Sequence, residues 1–316
     1  MYSLVIPVFK NEQTLCPLLE RLSEISLELD GQLEVVFVID GSPDNSYAVL
    51  HKELPCCSFE SQLITLSRNF GSFAAIRMGL SSAKGPYYAV MAADMQEPTE
   101  LILEFFRSLR EEPIDIVMGV RNGRNDPLIS RLSSGLFWLT YRWFVQQSMP
   151  PGGIDVFGCT QQVRDIIVRM EEANSTLVGL LVWLGFRRKT VGYHRLPRPV
   201  GKSGWSFRRK MRYLLDSMYA FSDLPILMLV TIGSVGVLGS LLASLVVATA
   251  WIAGLITVRG YTPLILAVLL STSLILLSLG VLGGYIWRAF ENTKCRPLYI
   301  PMLHESHPNN SKEIEP

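Results

Sequence analysis

The chain has 316 residues, of which 49% are hydrophobic and 18% are charged, and its formal net charge at pH 7 is +1. A charge so close to zero argues against a dedicated nucleic-acid-binding protein, whose surface would be strongly basic. The cysteines are odd in number and form no CxxC pair, so we predict reduced structural thiols rather than zinc ligands or disulfides.

The first half of the chain alternates apolar runs with helical patterns. The apolar runs predict five strands, at Ser3–Phe9, at Glu34–Asp40, at Gln62–Leu66, from Tyr87 onward and at Asp115–Val120. Leucine spacing and amphipathic patterns predict helices around Leu15–Leu22, at Phe73–Leu80 and at Glu100–Arg110. Strands that are apolar on both faces and alternate with helices indicate an α/β fold with a mainly parallel sheet covered on both sides.

Each predicted strand ends in a polar, turn-like segment, and such ends meet at one edge of a parallel sheet, where ligands bind. Asp40 could accept hydrogen bonds from a nucleoside, with Gly41 permitting close approach of the backbone, although an ordinary Asp-Gly turn fits the same residues. Arg68 and Arg121 follow two other strands and could clamp phosphate with their planar guanidinium groups. Each arginine, taken singly, also fits a plain surface position.

The run that begins at Tyr87 ends abruptly at Asp94, followed by Gln96 and Glu97. Pro98 stands where the next helix would begin, a position that suits its fixed backbone angle. Carboxylate and amide oxygens are ligands for Mg²⁺ or Mn²⁺, ions that commonly carry substrate phosphates. The stretch is therefore a candidate metal site, while a strand end with an acidic turn is the alternative.

From Pro127 the alternation of strands and helices breaks. Leu128–Gln147 is predicted to be an amphipathic helix rich in aromatic residues, and a Gly-Gly connection then leads to Asp155. An acid flanked by apolar residues is either a buried carboxylate, which needs a partner to stay ionised, or a strand-edge residue facing water. The pattern predicts further elements at Gln161–Glu172, Thr176–Leu184 and near Thr190–His194.

A basic segment from Arg198 to Tyr213 precedes the most apolar part of the chain. Aromatic residues interleaved with cations are typical of a helix lying in the lipid headgroup layer. Positive charge beside a membrane span would explain most of these residues by itself. The same cations could also hold an anionic lipid phosphate, and the candidates for that role are Arg198, Lys202, Arg208 and Arg212.

Two long stretches, Leu224–Val258 and Gly260–Trp287, contain no charged side chain. About 20 apolar residues are enough to cross a bilayer, so we predict two transmembrane helices joined by a very short turn. Basic residues flank both stretches, which favours a cytoplasmic location for the amino-terminal domain and both termini. We see no signal peptide, and the polar tail from His304 to Pro316 is expected to be disordered. The expected boundaries are a globular domain at 1–200, an interfacial helix at 201–222, two spans at 223–290 and a tail at 291–316.

Taken together, these residues resemble the GT-A-type, Rossmann-like family 2 glycosyltransferases that act on polyprenyl phosphates. This group includes dolichyl-phosphate mannose synthase and the bacterial undecaprenyl-phosphate sugar transferases. The resemblance runs from Ser3 to about Tyr299, and its specificity lies in the order and spacing of the motifs. The matching segments are 5–12, 40–46, 67–71, 94–98, 153–155 and 198–203, followed by the two apolar stretches, 282–288 and Arg296-Pro297.

The resemblance implies inverting transfer of a single sugar from a nucleotide sugar to polyprenyl phosphate. It places this reaction at the cytoplasmic face of a bacterial inner membrane or its equivalent. The sequence does not give the number of subunits, although a short two-helix anchor could pack against copies of itself. Asp94 and Gln96 would hold Mg²⁺ or Mn²⁺, and Asp155 would be an orienting or metal-linked carboxylate, with general base as its second role. The donor would be bordered by the remaining motif residues, namely Pro7, Glu12, Asp40, Ser42, Arg68 and Arg121.

The sequence departs from the family pattern at three positions. Ala92 stands where members usually carry an acid, Ile39 precedes Asp40 where an acid is common, and Gly204 replaces a usual lysine. The loss at Ala92 keeps one alternative open, a non-catalytic relative that binds nucleotide or lipid as a scaffold in membrane glycan assembly. A processive polysaccharide synthase fits poorly, because the chain has only two apolar stretches and lacks a Gln-x-x-Arg-Trp motif.

Overall fold

The computed structural model describes residues 1–122, 141–143, 145–150, 153–172, 176–197, 207–253 and 261–309. Within these residues eight strands form one sheet in the order β7-β5-β6-β4-β1-β2-β3-β8. The strands are β1 (Tyr2–Val8), β2 (Leu33–Ile39), β3 (Glu60–Leu66), β4 (Tyr87–Val90), β5 (Ile116–Arg121), β6 (Val156–Thr160), β7 (Arg188–Tyr193) and β8 (Pro301–His307).

The centre of the sheet is parallel, as the sequence predicts. β1 pairs in parallel with both β2 and β4, β2 pairs with β3, and β5 pairs with β7. β6 runs antiparallel between β4 and β5, and β8 runs antiparallel to β3 at the edge. The α/β fold with a mainly parallel sheet is therefore confirmed, and the polar segments after β1, β2, β3 and β4 emerge at one edge.

Helices cover both faces of this sheet, so the apolar runs of the strands are buried on both sides. The globular helices are α1 (Glu12–Glu28), α2 (Ser46–Glu53), α3 (Ser72–Ser82), α4 (Thr99–Glu111), α5 (Gln161–Arg169) and α6 (Leu177–Trp183). One core lies between the sheet and helices α1, α2 and α4, and it contains Leu18, Phe37 and Phe105. The second core packs α3, α5 and α6 on the opposite face and contains Val36, Ile76 and Leu181.

Three further helices follow the globular part: α7 (Phe207–Phe221), α8 (Leu224–Ile252) and α9 (Tyr261–Thr293). α7 packs on α9, where Arg288 forms an ion pair of 2.6 Å with Asp216 and lies over the ring of Tyr219. α7 also packs on α6, because the space in front of Gly179 is filled by the ring of Phe221. The predicted interfacial helix therefore joins the globular domain to the long apolar helices.

α8 and α9 expose many large apolar side chains and occupy the two stretches for which the sequence predicts membrane spans. By length and hydropathy, one described segment qualifies to cross a membrane, Leu274–Thr293. A second would qualify only if Tyr213–Phe221 and Leu224–Gly236, which meet at a bend of 78°, formed a single span. One or two such helices are weak support for a membrane protein, so crossing by both helices is not established by the fold.

The expected disorder of the tail is wrong for its first part. Residues Pro301–His307 form β8, which pairs with β3 from Ser61 to Leu66. Tyr47 donates a hydrogen bond of 2.6 Å to Glu305, and His51 contacts the other carboxylate oxygen at 2.7 Å. The polar side chains of the tail thus find partners on α2 and β3, which compensates the entropy lost on ordering.

Candidate active site

The loops after β1 and β2 are tied together by side-chain hydrogen bonds. The carboxylate of Glu12 accepts hydrogen bonds from the backbone and the side chain of Asn45, at 3.1 and 3.2 Å. In return Asp44 accepts one from the backbone N–H of Glu12, and Ser42 accepts one from Lys10. A cavity of about 370 Å³ lies between the two loops. Glu12, an expected donor-binding residue, therefore lines this cavity, and Ser42 is hydrogen-bonded to two of its lining residues, Lys10 and Asp44. Pro7, another expected donor-binding residue, lies near the end of β1 opposite Val38.

Asp40 lies almost completely buried at the end of β2. Its two carboxylate oxygens accept hydrogen bonds from the backbone N–H groups of Phe70 and Gly71, at 2.7 and 2.9 Å. Burial raises the pKa of Asp40, and these two hydrogen bonds oppose that rise. Gly41 has a φ of +56° and packs against the backbone of Arg68, so a larger residue would clash there. The structure thus gives Asp40 a role in shaping the loop after β3.

Arg68 lies in that loop with its guanidinium group 3.9 Å from the centre of the Phe70 ring. This stacking on an aromatic face is a cation–π contact, which holds the arginine in a defined orientation. The guanidinium group also donates a hydrogen bond to the carbonyl of Asn69 at 3.2 Å. Arg68 is therefore an exposed, oriented cation at the sheet edge, as a phosphate-binding role requires.

The turn that carries Asp94 is held from one side by α1. Thr14 donates a hydrogen bond of 2.7 Å to the carbonyl of Ala93, and Arg21 donates to the carbonyls of Met95 and Glu97. Met95 has a φ of +59°, a left-handed conformation that an L-residue adopts only when its surroundings favour it. These contacts fix the turn so that the Asp94 carboxylate remains near the sheet edge, with 13% of its side chain exposed.

Gln96 connects the same turn to the segment after β7. Its carbonyl accepts a hydrogen bond of 2.9 Å from the N–H of Leu196, and its side-chain amide donates one of 3.2 Å to the carbonyl of Leu196. Next to this pair, Arg195 places a guanidinium nitrogen 3.7 Å from the carboxylate of Asp94. The turn and the segment that leads toward Arg198 are therefore physically coupled.

Glu97 is 2% exposed and has one carboxylate oxygen for which the described residues supply no hydrogen-bond partner. Burial raises the pKa of Glu97 to about 7, and the carboxylates of Asp94 and Asp155 add to the rise while Arg195 opposes it. The buried Glu34, by contrast, accepts hydrogen bonds from Ser3, Gln62 and the backbone of Lys84. An incompletely satisfied buried acid is costly and is typical of functional sites.

Asp155 lies just before β6, and its carboxylate is held by residues from the ends of two neighbouring strands. Arg121, at the end of β5, forms a two-point ion pair with it, with one N–O distance of 2.8 Å. Tyr193, at the end of β7, donates a hydrogen bond of 3.0 Å to the same carboxylate. The side chain of Asp155 is 27% exposed, so it is neither fully buried nor freely solvated. Arg121 is thus bound to Asp155 in this structure, and its expected role toward the donor phosphates stays a prediction.

The expected acceptor-phosphate residues are only partly covered by the structure. Arg198 and Lys202 lie outside the described residues. Arg208 and Arg212 lie within α7, and their side chains are outside the described part of the chain. Their assignment to the acceptor therefore stays a prediction.

Three side chains at the site were given no role from the sequence: Tyr193, Arg195 and the buried Glu97. Tyr193 ends β7 and Arg195 follows it; the residues of that strand before Tyr193 alternate between exposed and partly buried, so nothing local marks either residue as a ligand. The position of Glu97, next to Gln96 and three residues after Asp94, could have indicated a role at the site. An acid in a turn is usually solvated, however, so its burial was not expected. Their shared feature is position, since each lies at the same edge as Asp94.

The carboxylate of Asp94 suits a divalent cation that takes few of its ligands from the protein. No group of three or more His, Cys, Asp or Glu side chains within the described ranges is arranged to hold a metal. Mg²⁺ in phosphate-transferring sites is commonly bound by one or two carboxylates, with the remaining ligands supplied by substrate phosphates and water. Asp94, partly exposed at the sheet edge, meets that smaller requirement with one carboxylate, whereas Ala92 contributes no ligand.

The chain is similar to several known proteins. The model of the family described as glycosyl transferase family 2 matches residues 3–164. The chain is 32% identical over 302 residues to an uncharacterized glycosyltransferase of Synechocystis sp., covering 94% of this chain and 93% of the relative. It is 28% identical over 317 residues to the undecaprenyl-phosphate 4-deoxy-4-formamido-L-arabinose transferase of Proteus mirabilis, covering 98% and 96%. Among solved structures, the mannosyltransferase PcManGT of Pyrobaculum calidifontis, in complex with GDP-Man and Mn²⁺, aligns with a TM-score of 0.45 at 13% identity, covering 90% of this chain and 87% of that one.

Proposed function

The chain belongs to glycosyl transferase family 2 and is a glycosyltransferase, and from that premise we propose that it transfers one sugar from a nucleotide sugar to a polyprenyl phosphate. The observation that carries the choice of acceptor is the similarity to an undecaprenyl-phosphate transferase over 98% of this chain. That similarity extends beyond the sheet domain into α7, α8 and α9, the part that a lipid acceptor would require. The sheet domain itself has the α/β architecture expected of a GT-A enzyme.

The donor would bind across the carboxyl edge of β1 to β4. The cavity between the loops after β1 and β2 is the proposed nucleoside site, bordered by Glu12 and Asp44. Asp40 would support this site by holding the loop after β3, and Arg68 would face the phosphates from that loop. The anomeric carbon of the sugar would then lie near Asp94 and Asp155.

The transfer exchanges one bond for another at the anomeric carbon. A phosphate oxygen of the acceptor forms the new bond, the bond to the diphosphate oxygen breaks, and its electron pair leaves with the nucleoside diphosphate. A phosphate is already ionised near neutral pH, so the nucleophile needs little help from a general base. Asp155, bound by Arg121 and Tyr193, is better suited to orient groups than to remove a proton. A Mg²⁺ or Mn²⁺ ion held at Asp94, with Gln96 beside it, would neutralise charge on the leaving diphosphate.

The membrane part of the proposal rests on α8 and α9. We propose that both cross the bilayer, that α7 lies in the headgroup layer, and that the sheet domain and both termini face the cytoplasm. The exposed apolar surfaces of α8 and α9, together with the basic residues at the start of α7, support this arrangement. The acceptor phosphate would then be presented at the membrane surface, within reach of Arg198, Lys202, Arg208 and Arg212.

The direct test is a transfer assay with purified full-length protein in detergent. The protein is incubated with undecaprenyl phosphate and with radiolabelled UDP-, GDP- or dTDP-sugars in turn, and label is counted in an organic extract. We expect label from one donor, and its loss in the Asp94→Asn and Asp155→Asn variants. Asp165→Asn, which changes an aspartate on the outer surface of α5, is the matched control and should retain the activity. Absence of extractable label with every donor would contradict the proposed reaction.

A further inference from the structure

Two arginines lie close to the carboxylates of the site, and they are held very differently. The guanidinium group of Arg121 is bound at two points by Asp155, and its side chain is 22% exposed. Arg195 makes a single ion pair in the described part of the chain, at 3.7 Å from Asp94, and its side chain is 30% exposed. A contact of that length is not a hydrogen bond, so its guanidinium group can turn toward another anion without breaking one.

We propose that Arg195 binds the diphosphate of the donor from the side of Asp94, opposite the loop that carries Arg68, a role that deepens and rests on the proposed transferase function. The backbone next to it is fixed, because Leu196 donates to the carbonyl of Gln96 and accepts from the side chain of Gln96. With its backbone fixed, the guanidinium group of Arg195 stays near the site and can turn to a phosphate without breaking a hydrogen bond. The planar fork of arginine matches a phosphate with two parallel hydrogen bonds.

The charges around the turn favour the same assignment. Asp94, Glu97 and Asp155 contribute three carboxyl groups to this region, and Arg121 and Arg195 contribute two cations that interact with them. A bound diphosphate brings further negative charge. Because both donor positions of Arg121 are bound to Asp155, Arg121 could form a two-point contact with the diphosphate only by releasing that carboxylate. Among the described residues at this turn, Arg195 is therefore the cation that can reach the diphosphate without breaking a hydrogen bond.

Ala92 makes the proposed contact between Arg195 and the diphosphate more important for binding. An alanine there supplies no carboxylate next to Asp94, so a divalent cation at this turn would be held by fewer protein ligands. A larger share of the charge on the diphosphate must then be balanced by protein cations. Arg195 is expected to matter most when divalent cations are scarce.

The experiment compares binding of nucleosides and nucleoside diphosphates to purified full-length protein. Titration calorimetry with UDP, GDP and dTDP, and competition by the matching nucleosides, are each performed in EDTA and in Mn²⁺. The variants are Arg195→Gln and Arg195→Lys. The control is Arg188→Gln, because Arg188 begins β7, the strand after which Arg195 lies, and donates to the carbonyl of Val182.

We expect Arg195→Gln to weaken binding of the preferred nucleoside diphosphate by about tenfold or more, since one charge-assisted contact is lost. The loss should be larger in EDTA, smaller in Arg195→Lys, and absent in Arg188→Gln, while binding of the nucleoside is unchanged. Equal diphosphate affinity for wild type and Arg195→Gln in both buffers would overturn the assignment. An equal loss for nucleoside and diphosphate would also overturn it, because that result reports a distorted site. If wild type bound none of the three diphosphates, the transferase function itself would fail.

Discussion

Arg121 and Asp155 face each other from the ends of two neighbouring antiparallel strands and join in a two-point ion pair. The side chains are 34 residues apart in the sequence and only partly exposed. Tyr193 completes the arrangement from the next strand. The carboxylate is thus oriented by two donors of different kinds, and the contribution of each can be separated.

Replacement of Arg121 tests how far Asp155 depends on this pair. Arg121→Gln leaves a half-buried carboxylate without its cation, and we expect a loss of about 1 to 3 kcal/mol in stability because both side chains are partly solvated. Arg121→Lys keeps the charge but loses the fork, so it should fall between glutamine and wild type. The measurements are the apparent melting temperature in detergent and the transfer rate. Equal behaviour of the lysine and glutamine variants would show that the two-point geometry is unimportant.

The buried Glu97 makes the stability of the domain depend on pH. Burial raises the pKa of Glu97 to about 7 from an ordinary 4.5, so the folded protein holds this proton where the unfolded chain has released it. The resulting cost of folding is absent below about pH 4.5, grows as the pH rises, and is fully present above about pH 7, where it is on the order of 3 kcal/mol.

Glu97→Gln removes this ionisation. The melting temperature of the variant relative to wild type should therefore be higher at pH 8 than at pH 5, measured in EDTA without nucleotide. Glu104→Gln is the control, because Glu104 is partly exposed and its pKa is shifted in the opposite direction. Burial raises that pKa, but the hydrogen bonds from Lys189 and Ser108 lower it by more. A difference between Glu97→Gln and wild type that is the same at both pH values would contradict the prediction.

Position 92 offers a gain-of-binding test. Ala92 is partly exposed beside Asp94, so an aspartate fits there without entering the core. Ala92→Asp supplies a second carboxylate for a divalent cation, and we expect the affinity for Mn²⁺ in the presence of nucleoside diphosphate to rise about tenfold. Electron paramagnetic resonance of free Mn²⁺ measures this directly. Unchanged Mn²⁺ affinity would remove the metal assignment at Asp94.

The tail strand β8 depends on Glu305. The hydrogen bond from Tyr47 lowers the pKa of Glu305, burial opposes this, and His51 lowers it further. The stabilisation is therefore present above the ordinary glutamate pKa and is lost as the pH falls through the lowered value. Glu305→Gln should weaken the docking of β8 by on the order of 1 kcal/mol, because these side chains are partly exposed. Hydrogen exchange of the β8 amides should become faster, and exchange as slow as in wild type would argue against the contact.

The sheet edge was predictable because an apolar strand followed by a polar turn is a local pattern. Asp94, Asp40 and Arg68 could therefore be located before the structure was known. Pairings across long separations have no local signal, and the link between Arg121 and Asp155 is an example. β8 was missed for the same reason, since Glu305 contacts partners 254 and 258 residues earlier in the chain. The polar composition of the tail indicates that ordering it costs conformational entropy. It does not show which distant residues form the hydrogen bonds that compensate this cost.

The pairing of the tail strand β8 with β3 also limits the distance between the sheet and the end of α9. Residues 294–300 connect the end of α9 to the start of β8. A fully extended chain covers at most about 3.5 Å per residue, so the edge of the sheet cannot lie more than roughly 30 Å from the end of α9. With α9 in a bilayer, this short connection would limit the distance between the sheet domain and the membrane surface. An acceptor whose phosphate lay farther from the surface than that distance would not reach the site.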